Sequence, residues 1–234
     1  MAVTRPIGSG KAYSVAQAAR LAKTSPANVR NWLLGYEAPG HKMKPVFGPR
    51  EKQPGQPLSL SFLELAELVV VARFRQGKGR TLPLWRLRAA HQFARERLGI
   101  QYPFASGRFK VEGGHVIHEF EESHPGPGRI AVDLNGIYVL PTEFDDALDL
   151  FDFADGGEGL AVRWYPAGKD KPIVIDPQFA SGQPSVAGRN VRAEALLSRW
   201  NANWSIDEIA EDFSLEPHVV EAVIKALVAI PRAA

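Results

Sequence analysis

The chain has 234 residues, of which 45% are hydrophobic and 23% charged, so most of it is expected to fold around a buried core. It contains no cysteine, which excludes disulfides, thiolate zinc sites and cysteine nucleophiles. The sequence shows neither the apolar core of a signal peptide nor a run of about 18 apolar residues, and we therefore expect a cytoplasmic protein with no membrane partner.

The net charge of +2 is divided unevenly along the chain. Residues 1–100 carry 17 Lys and Arg against 5 Asp and Glu, a balance of +12, whereas residues 101–234 carry 11 against 21, a balance of −10. A basic surface suits a polyanion such as DNA, and an acidic one repels it. The division predicts two surfaces for two kinds of partner; the alternative is a pair of ordinary solvated faces.

Two short helices are predicted within residues 13–33. Ser14 and Gln17 have the spacing of a capping box, in which each side chain bonds the backbone N–H of the other residue. After a tight polar turn, Ser25 and Pro26 start a second helix, since serine caps helices and proline suits the first helical position. Apolar residues then follow at helical spacing. The pair is a helix-turn-helix candidate.

A basic, Gly- and Pro-rich stretch comes next, and two more helices follow it. Residues 35–57 predict an exposed hairpin or loop, called the wing below. Its basic side chains are His41, Lys42, Lys44, Arg50 and Lys52. Ser61 and Glu64 form another capping-box pair that starts a third helix, and Pro83 starts a fourth, which ends at Gly99.

Beyond Pro103 the pattern changes to short β-like segments separated by turn signals such as Gly113-Gly114 and Asn135-Gly136. The predicted strands are residues 109–112, 115–120, 129–134, 137–140, 160–165 and 173–175. An acidic helix is predicted from Pro141 through Phe151. The central region is thus expected to form a small antiparallel sheet, which gives the whole chain an α+β fold.

The last part of the chain predicts a bundle of three helices, over residues 191–200, 206–213 and 217–227. Residues 189–234 have a charge balance of −2, and the second of these helices holds four carboxylates, which would repel a phosphate backbone. A protein partner is therefore expected here. The alternative is a bundle that packs on its own chain or dimerises.

A DNA-reading helix places its first turns in the major groove, with polar side chains outward. Arg pairs with guanine edges and Asn with adenine edges, while wing cations hold phosphates. The predicted DNA-binding residues are Ser14, Ser25, Asn28, Arg30, Asn31, Lys42, Lys44 and Arg50. The alternative is a structural helix pair with a solvated face.

No residue pattern typical of a catalytic, metal or cofactor site appears. His115, His118 and His124 lie near glutamates, but the first two would point to opposite faces of the predicted strand, so no metal site is predicted. Four acids at helical spacing lack an accompanying base, nucleophile or phosphate loop, and we assign them to an exposed helix face. They are Asp145, Asp146, Asp149 and Asp152. We expect no enzyme activity and no cofactor.

Two resemblances to known families involve these residues. Residues 13–19 and 25–32 resemble the N-terminal helix-turn-helix of MerR-type regulators, and residues 60–65 are similar to the helix that follows their wing. The Pro-rich stretch 45–57 stands where that family has an Arg-aromatic ending. This resemblance implies a winged helix-turn-helix fold and DNA binding.

Residues 172–230 resemble a short family of unknown function that is commonly encoded as an antitoxin beside PIN-like ribonuclease toxins. The run Ser205-Ile206-Asp207-Glu208-Ile209-Ala210-Glu211-Asp212 carries most of the likeness, and Gly188-Arg189-Asn190 replaces the usual Gly-Thr-Arg. Both regions together are similar to VapB-type antitoxins, which implies binding to a VapC-type toxin and repression of the operon.

These observations lead to one hypothesis and one alternative. Residues 1–102 would bind operator DNA as a homodimer, residues 103–175 would link or dimerise, and residues 176–234 would hold a PIN-like toxin. The predicted partner-binding residues are Arg189, Arg192, Trp200, Trp204, Glu208 and Asp212. The alternative is a stand-alone MerR-like regulator that senses a small molecule in the central sheet. Its pocket would be lined by Phe109, Phe120, Trp164 and Tyr165.

Overall fold

The computed structural model describes residues 8, 10–38, 40–50, 55–76, 83–123 and 146–228, and the statements below concern those residues. They form an α+β fold of helices and two-stranded antiparallel sheets, as predicted. The helices are α1 (Val15–Leu21), α2 (Pro26–Leu34), α3 (Phe62–Gln76), α4 (Leu84–Leu98), α5 (Gly107–Ser123), α6 (Ala193–Asn201), α7 (Ile206–Phe213) and α8 (Pro217–Val228). The strands are β1 (Lys11–Ser14), β2 (Tyr36–Ala38), β3 (His41–Met43), β4 (Ser59–Ser61), β5 (Phe151–Phe153), β6 (Ala161–Trp164), β7 (Ile173–Val174) and β8 (Ser185–Val186).

The helix starts in the first hundred residues follow the capping signals of the sequence. The Gln17 N–H donates to the Ser14 hydroxyl at 3.2 Å, and the Gln17 side chain accepts from the Ser14 N–H at 2.9 Å. The same reciprocal pair joins Ser61 and Glu64 at the start of α3. These bonds satisfy backbone donors that a helix leaves free in its first turn. The predicted starts of α1 and α3 are therefore confirmed, and α2 and α4 begin where predicted, after the Ser25 cap and directly after Pro83.

Two small sheets hold the segments around α1 and α2 in place. In the wing, β2 pairs antiparallel with β3, with Glu37 opposite Lys42. Strand β1 pairs antiparallel with β4, with Tyr13 opposite Leu60, and so connects the start of α1 to the start of α3. The hairpin in the wing was predicted, whereas the β1–β4 pair was not.

The predicted hairpin at residues 109–120 is wrong, because helix α5 covers Gly107–Ser123. Phe109, Ile117 and Phe120 are buried and lie at helical spacing. Burial of one such side chain contributes roughly 1.5–3 kcal/mol, which outweighs the cost of about 1 kcal/mol for each glycine inside the helix. A salt bridge from Arg97 on α4 to Glu119, 2.7 Å long, also joins α4 to α5.

The remaining central predictions have mixed outcomes. The predicted hairpin around Asn135-Gly136 and the start of the acidic helix at Pro141 lie outside the described residues. That helix does not run through Phe151, since Phe151 begins β5. The predicted strands at 160–165 and 173–175 are confirmed as β6 and β7. Strand β6 pairs with β5 and β7 with β8, and an antiparallel bridge between Trp164 and Ile175 joins β6 to the residue after β7.

Two buried clusters form the core. The first extends from Tyr13 to Ile175 and includes residues on both sides of position 102. The second contains Ile173 and Val186 together with the inner faces of α6, α7 and α8, which confirms the predicted three-helix bundle. In the described part of the chain, no helix is both long and apolar enough to cross a membrane.

Candidate functional site

Helix α2 is amphipathic and presents its first turn to solvent. Val29, Trp32 and Leu33 are buried, while Ser25 and Arg30 are exposed. The Ser25 hydroxyl accepts the Asn28 N–H at 3.1 Å, which caps the helix at its exposed end. The first turn of α2 can therefore approach an extended partner without moving the core.

The predicted DNA-binding residues of the two helices are placed in different ways. The Ser14 and Ser25 hydroxyls both serve as helix caps. The Asn28 amide donates to the Thr24 hydroxyl at 3.1 Å, and Asn31 is half-buried. Arg30 is exposed and forms no ion pair with any residue that the structure describes. Arg30 thus has the freest side chain of the predicted set on α2.

Gly35, at the end of α2, lets the chain turn directly from the helix into the wing. Gly35 has φ +75°, and a Cβ at this position would lie 2.2 Å from the Met43 carbonyl oxygen, so only glycine fits. The Val46 N–H then donates to the Trp32 carbonyl at 2.7 Å. Lys42 and Lys44 are exposed on the wing, and the Lys42 ammonium lies 3.7 Å from Glu37. The structure therefore brings two predicted phosphate contacts next to α2.

Arg50, also predicted to hold a phosphate, is placed differently from the wing lysines. Its side chain is only 15% exposed, and its guanidinium lies 3.0 Å from the Glu64 carboxylate. It also donates to the Ser59 carbonyl. These contacts give Arg50 a role in holding the wing end against β4 and the start of α3.

Two further cations near α2 were missed in the sequence. Lys23 and Arg75 line a cavity of about 430 Å³ together with Ser25 and Asn28 at the start of the helix. Lys23 lies in the turn of the helix pair, which was a usable signal. Arg75 comes from the last turn of α3, and only the tertiary packing brings it there.

A second candidate surface lies on the three-helix bundle. Trp200 and Trp204 are 44% and 38% exposed. The Arg199 guanidinium lies 5.0 Å from the centre of the Trp204 ring, and its Nε is 3.2 Å from the Asp212 carboxylate. Arg199 thus connects two predicted partner-binding residues, although it was not itself predicted. Partly exposed aromatic and arginine side chains of this kind are enriched at protein interfaces.

The other predicted partner-binding residues are not grouped with this surface. Glu208 forms a capping box with Ser205 at the start of α7, and the Ser205 N–H that it accepts holds the pKa of the Glu208 carboxyl below its usual range. Arg192 lies at the start of α6 and lines a groove of about 630 Å³ with Arg20 of α1. Arg189 is exposed.

A buried contact, which we call the junction, connects β1 to the segment before the bundle. The Tyr13 hydroxyl donates to the Gly182 carbonyl at 2.5 Å. Gly182 has φ +72°, and a Cβ there would lie 2.6 Å from the Tyr13 hydroxyl. Burial, and secondly the nearby Asp176 carboxylate, raise the pKa of Tyr13. Asp176 in turn lies 2.8 Å from Arg163. Sequence reasoning gave no signal for this contact.

The proposed sensory pocket in the central sheet is not formed by its four aromatic residues. Phe109 and Phe120 are fully buried on α5, and Trp164 stacks on Phe151 inside the core. The Tyr165 hydroxyl donates to Asp152 at 2.8 Å. These residues therefore serve as core packing and as a local polar contact.

The predicted strand that carries His115 and His118 is a helix in the structure. Residues 115 and 118 lie on helix α5 and not on a strand, so the predicted strand geometry does not apply to them. Within the residues that the structure describes, no group of three His, Asp or Glu is arranged to hold a metal ion. Of the four acids, Asp149 pairs with Lys110 and Asp152 with Lys169.

Comparison with known proteins adds three findings. Residues 173–225 match the family described as protein of unknown function DUF433, in agreement with the C-terminal resemblance seen in the sequence. The chain is 26% identical over 230 residues to the Mycobacterium tuberculosis protein described as "Putative antitoxin VapB45", with 93% of this chain and 94% of that protein covered. It is also 26% identical over 223 residues to the uncharacterized protein Rv2308 of the same organism, with 91% and 88% covered.

The fold is similar to a solved structure. The crystal structure of Rv2018 from Mycobacterium tuberculosis superposes with a TM-score of 0.75 at 24% identity, and the match covers 92% of this chain and 98% of that one. At this identity the likeness concerns the fold. Taken with the sequence matches, the chain is similar over nearly its whole length to a protein described as a "putative antitoxin".

Proposed function

We propose that this protein is a non-enzymatic, DNA-binding antitoxin that neutralises a PIN-like VapC-type ribonuclease toxin and represses its own operon. The observation that carries the proposal is the match to a putative antitoxin over 93% of the chain, since it includes both the α1–α2 pair and the three-helix bundle. A toxin-binding module alone would need only the region around residues 173–225.

Operator binding is proposed for α2 and the wing. Arg30 projects from α2 without a described ion partner, in position to contact a base edge. Lys42 and Lys44 are exposed on the wing, which is held to α2 by Gly35 and by the bond from Val46 to Trp32. These groups would contact phosphates and set the position of α2 in the groove. We further propose a homodimer on a palindromic operator.

Toxin binding is proposed for the surface around Trp200 and Trp204. Arg199 contacts Trp204, Phe213 and Asp212, so the side chains on this face are already ordered before a partner arrives. An ordered surface loses less conformational entropy on binding. Exposed carboxylates on α7 also make this face a poor surface for DNA.

Two substitutions, each expected to weaken only one of the two binding activities, test the proposal on the full-length protein. We expect Arg30→Gln to weaken operator binding by about 1–3 kcal/mol and to leave toxin binding unchanged. Trp200→Ala should weaken toxin binding by at least about 1 kcal/mol and leave operator binding unchanged. The measurements are fluorescence anisotropy with promoter DNA and co-purification with the product of the adjacent toxin gene.

Matched controls come from the same chain. Arg189→Gln removes an exposed arginine that lies outside α2 and the wing in the sequence, and operator affinity should not change. Trp85→Ala removes an exposed tryptophan of α4, which is 46% exposed, and toxin binding should not change. The proposal fails if the protein and the toxin elute as separate species from a sizing column, or if Arg30→Gln binds the operator as well as the unchanged protein does.

A further inference from the structure

A large cavity separates the end of the wing from helix α4. It has a volume of about 920 Å³ and lies between residues 44–49 and one face of α4, with Ile100 at its base. Small-molecule sites commonly occupy clefts of roughly 300–1,000 Å³. None of the contacts that we propose for the operator or the toxin explains this cavity, although Lys44 is common to the cavity and the wing.

Two guanidinium groups of α4 belong to the lining of this cavity. Arg88 and Arg95 are seven residues apart, on the same face of α4, and both are partly buried. The Arg88 Nε donates to the Pro45 carbonyl at 2.8 Å, which leaves its other nitrogens available. Neither arginine forms an ion pair with a described residue. Partly buried arginines that have no described ion partner favour the binding of an anionic ligand.

The rest of the cavity lining supports an organic ligand. Val46 and Ile100 are buried apolar side chains at its wall and base. His91 is also part of the lining, is 1% exposed, and is held by Glu67 at 2.8 Å. Its ring contacts Phe104 edge-on, with the ring centres 5.0 Å apart. This part of the lining thus combines apolar side chains with a His91 ring that is held in place before any ligand binds.

The carboxylates of the lining lie in water. Glu96 and Glu158 are both exposed, and Glu96 accepts a hydrogen bond from Gln92 at 3.1 Å. Solvent screens their charge more strongly than that of the partly buried arginines. The buried Glu67 carboxylate behind the lining already pairs with the His91 ring and accepts the Phe104 N–H, so among the described residues Arg88 and Arg95 carry the partly buried charge of the lining that has no ion partner.

The cavity wall is also connected to the proposed DNA-binding elements. Lys44 directly follows β3, and Pro45 accepts the bond from Arg88. The next residue, Val46, donates to the Trp32 carbonyl of α2. A ligand that draws Arg88 or Lys44 toward itself would change how the wing lies against α2.

We propose that this cavity binds a small organic anion, with one carboxylate, sulfonate or phosphate group on an apolar body about the size of one or two rings. We also propose that occupancy changes operator affinity, and this second statement rests on the proposed function.

The probe for the site is anilinonaphthalene sulfonate, whose fluorescence rises in an apolar environment. We expect one saturable site on the full-length protein and about tenfold weaker binding in Arg95→Gln and in Lys44→Gln, because each removes a charge-assisted contact. Arg97→Gln is the matched control, since Arg97 lies on α4 but pairs with Glu119. Its binding should equal that of the unchanged protein.

A neutral analogue and a DNA measurement complete the test. Phenylnaphthylamine, which has the rings but no sulfonate, should bind at least tenfold more weakly. Equal binding of the two probes, or equal binding of the sulfonate to all variants, would overturn the anion site. Operator affinity is then measured with and without saturating probe, and a change below about twofold would overturn the coupling. If the protein binds the probe but does not bind DNA, the proposed function is contradicted while the anion site is still supported.

Discussion

The Tyr13 hydroxyl donates a buried hydrogen bond to a carbonyl 169 positions away in the sequence, that of Gly182. The close approach requires glycine at position 182, because a Cβ there would lie 2.6 Å from the Tyr13 hydroxyl. A buried acceptor that loses its donor costs about 1–3 kcal/mol. This one contact at the junction is therefore a measurable part of the stability of the whole chain.

We expect Tyr13→Phe to lower the free energy of unfolding by about 1–3 kcal/mol near neutral pH, since the Gly182 carbonyl loses its donor. Burial raises the pKa of Tyr13 above its usual value. Its contribution to stability is thus complete below about pH 10 and falls at higher pH, where the unfolded chain ionises first.

Urea unfolding at about pH 8 and about pH 10.5 measures this effect. The stability difference between the unchanged protein and Tyr13→Phe should shrink at the higher pH. Tyr36→Phe serves as control, because Tyr36 is exposed and its replacement should change stability little. A difference that is equal at both pH values contradicts the assignment.

At the scale of elements, the helix starts could be predicted and the strand partners could not. A capping box such as Ser205 with Glu208 depends on residues three apart, so its signal is complete within a short window. The β1–β4 pair joins two distant segments of three or four residues, and no local pattern specifies such a pairing. Helix α5 was misassigned because its paired glycines indicate a turn, while burial of Phe109 and Phe120 favours a helix.

The wing gives a prediction at this scale. We expect Gly35→Ala to destabilise the protein by at least about 2 kcal/mol and to weaken operator binding, because its methyl group would clash with the Met43 carbonyl. Gly40→Ala is the matched variant. Gly40 also has a positive φ, yet nothing lies near its Cβ position, so only a backbone cost of about 1 kcal/mol is expected. Thermal unfolding and DNA anisotropy separate the two.

If both substitutions have the same effect on stability and on DNA binding, the close approach of Gly35 to Met43 is not what holds the wing against α2.

At the scale of the whole molecule, the charge division predicted that one part of the chain would suit DNA and the other would not. Lys23 and Arg30 lie at or near α2, and Lys42 lies on the wing, so the sequence already indicated their place. Arg75 reaches the start of α2 only because α3 packs there. The predicted partner surface was incomplete for a similar reason. Arg199 on α6 connects Trp204, in the turn before α7, to Asp212 on α7, which only the folded bundle shows.

The charge division also gives a prediction for salt dependence. For Lys42→Gln we expect a decrease of about one in the slope of log affinity against log salt concentration, with the preference among operator sequences unchanged, since a phosphate contact carries no base information. Lys171→Gln is the control, because Lys171 lies 2.9 Å from Asp170, in the acidic part of the chain. An unchanged slope for Lys42→Gln would contradict the proposed contact between Lys42 of the wing and the DNA backbone.

The junction also has a consequence for degradation of the protein. A protease cut after Phe179, which is 47% exposed, would separate Gly182 from the part of the chain that holds Tyr13, and departure of the C-terminal piece would leave the Tyr13 hydroxyl buried without its acceptor. The remaining fragment would then be less stable and more readily degraded itself. Under the proposed function, a single cleavage would separate the toxin-binding bundle from the DNA-binding part of the chain and shorten the lifetime of the repressor, so that transcription of the operon would resume.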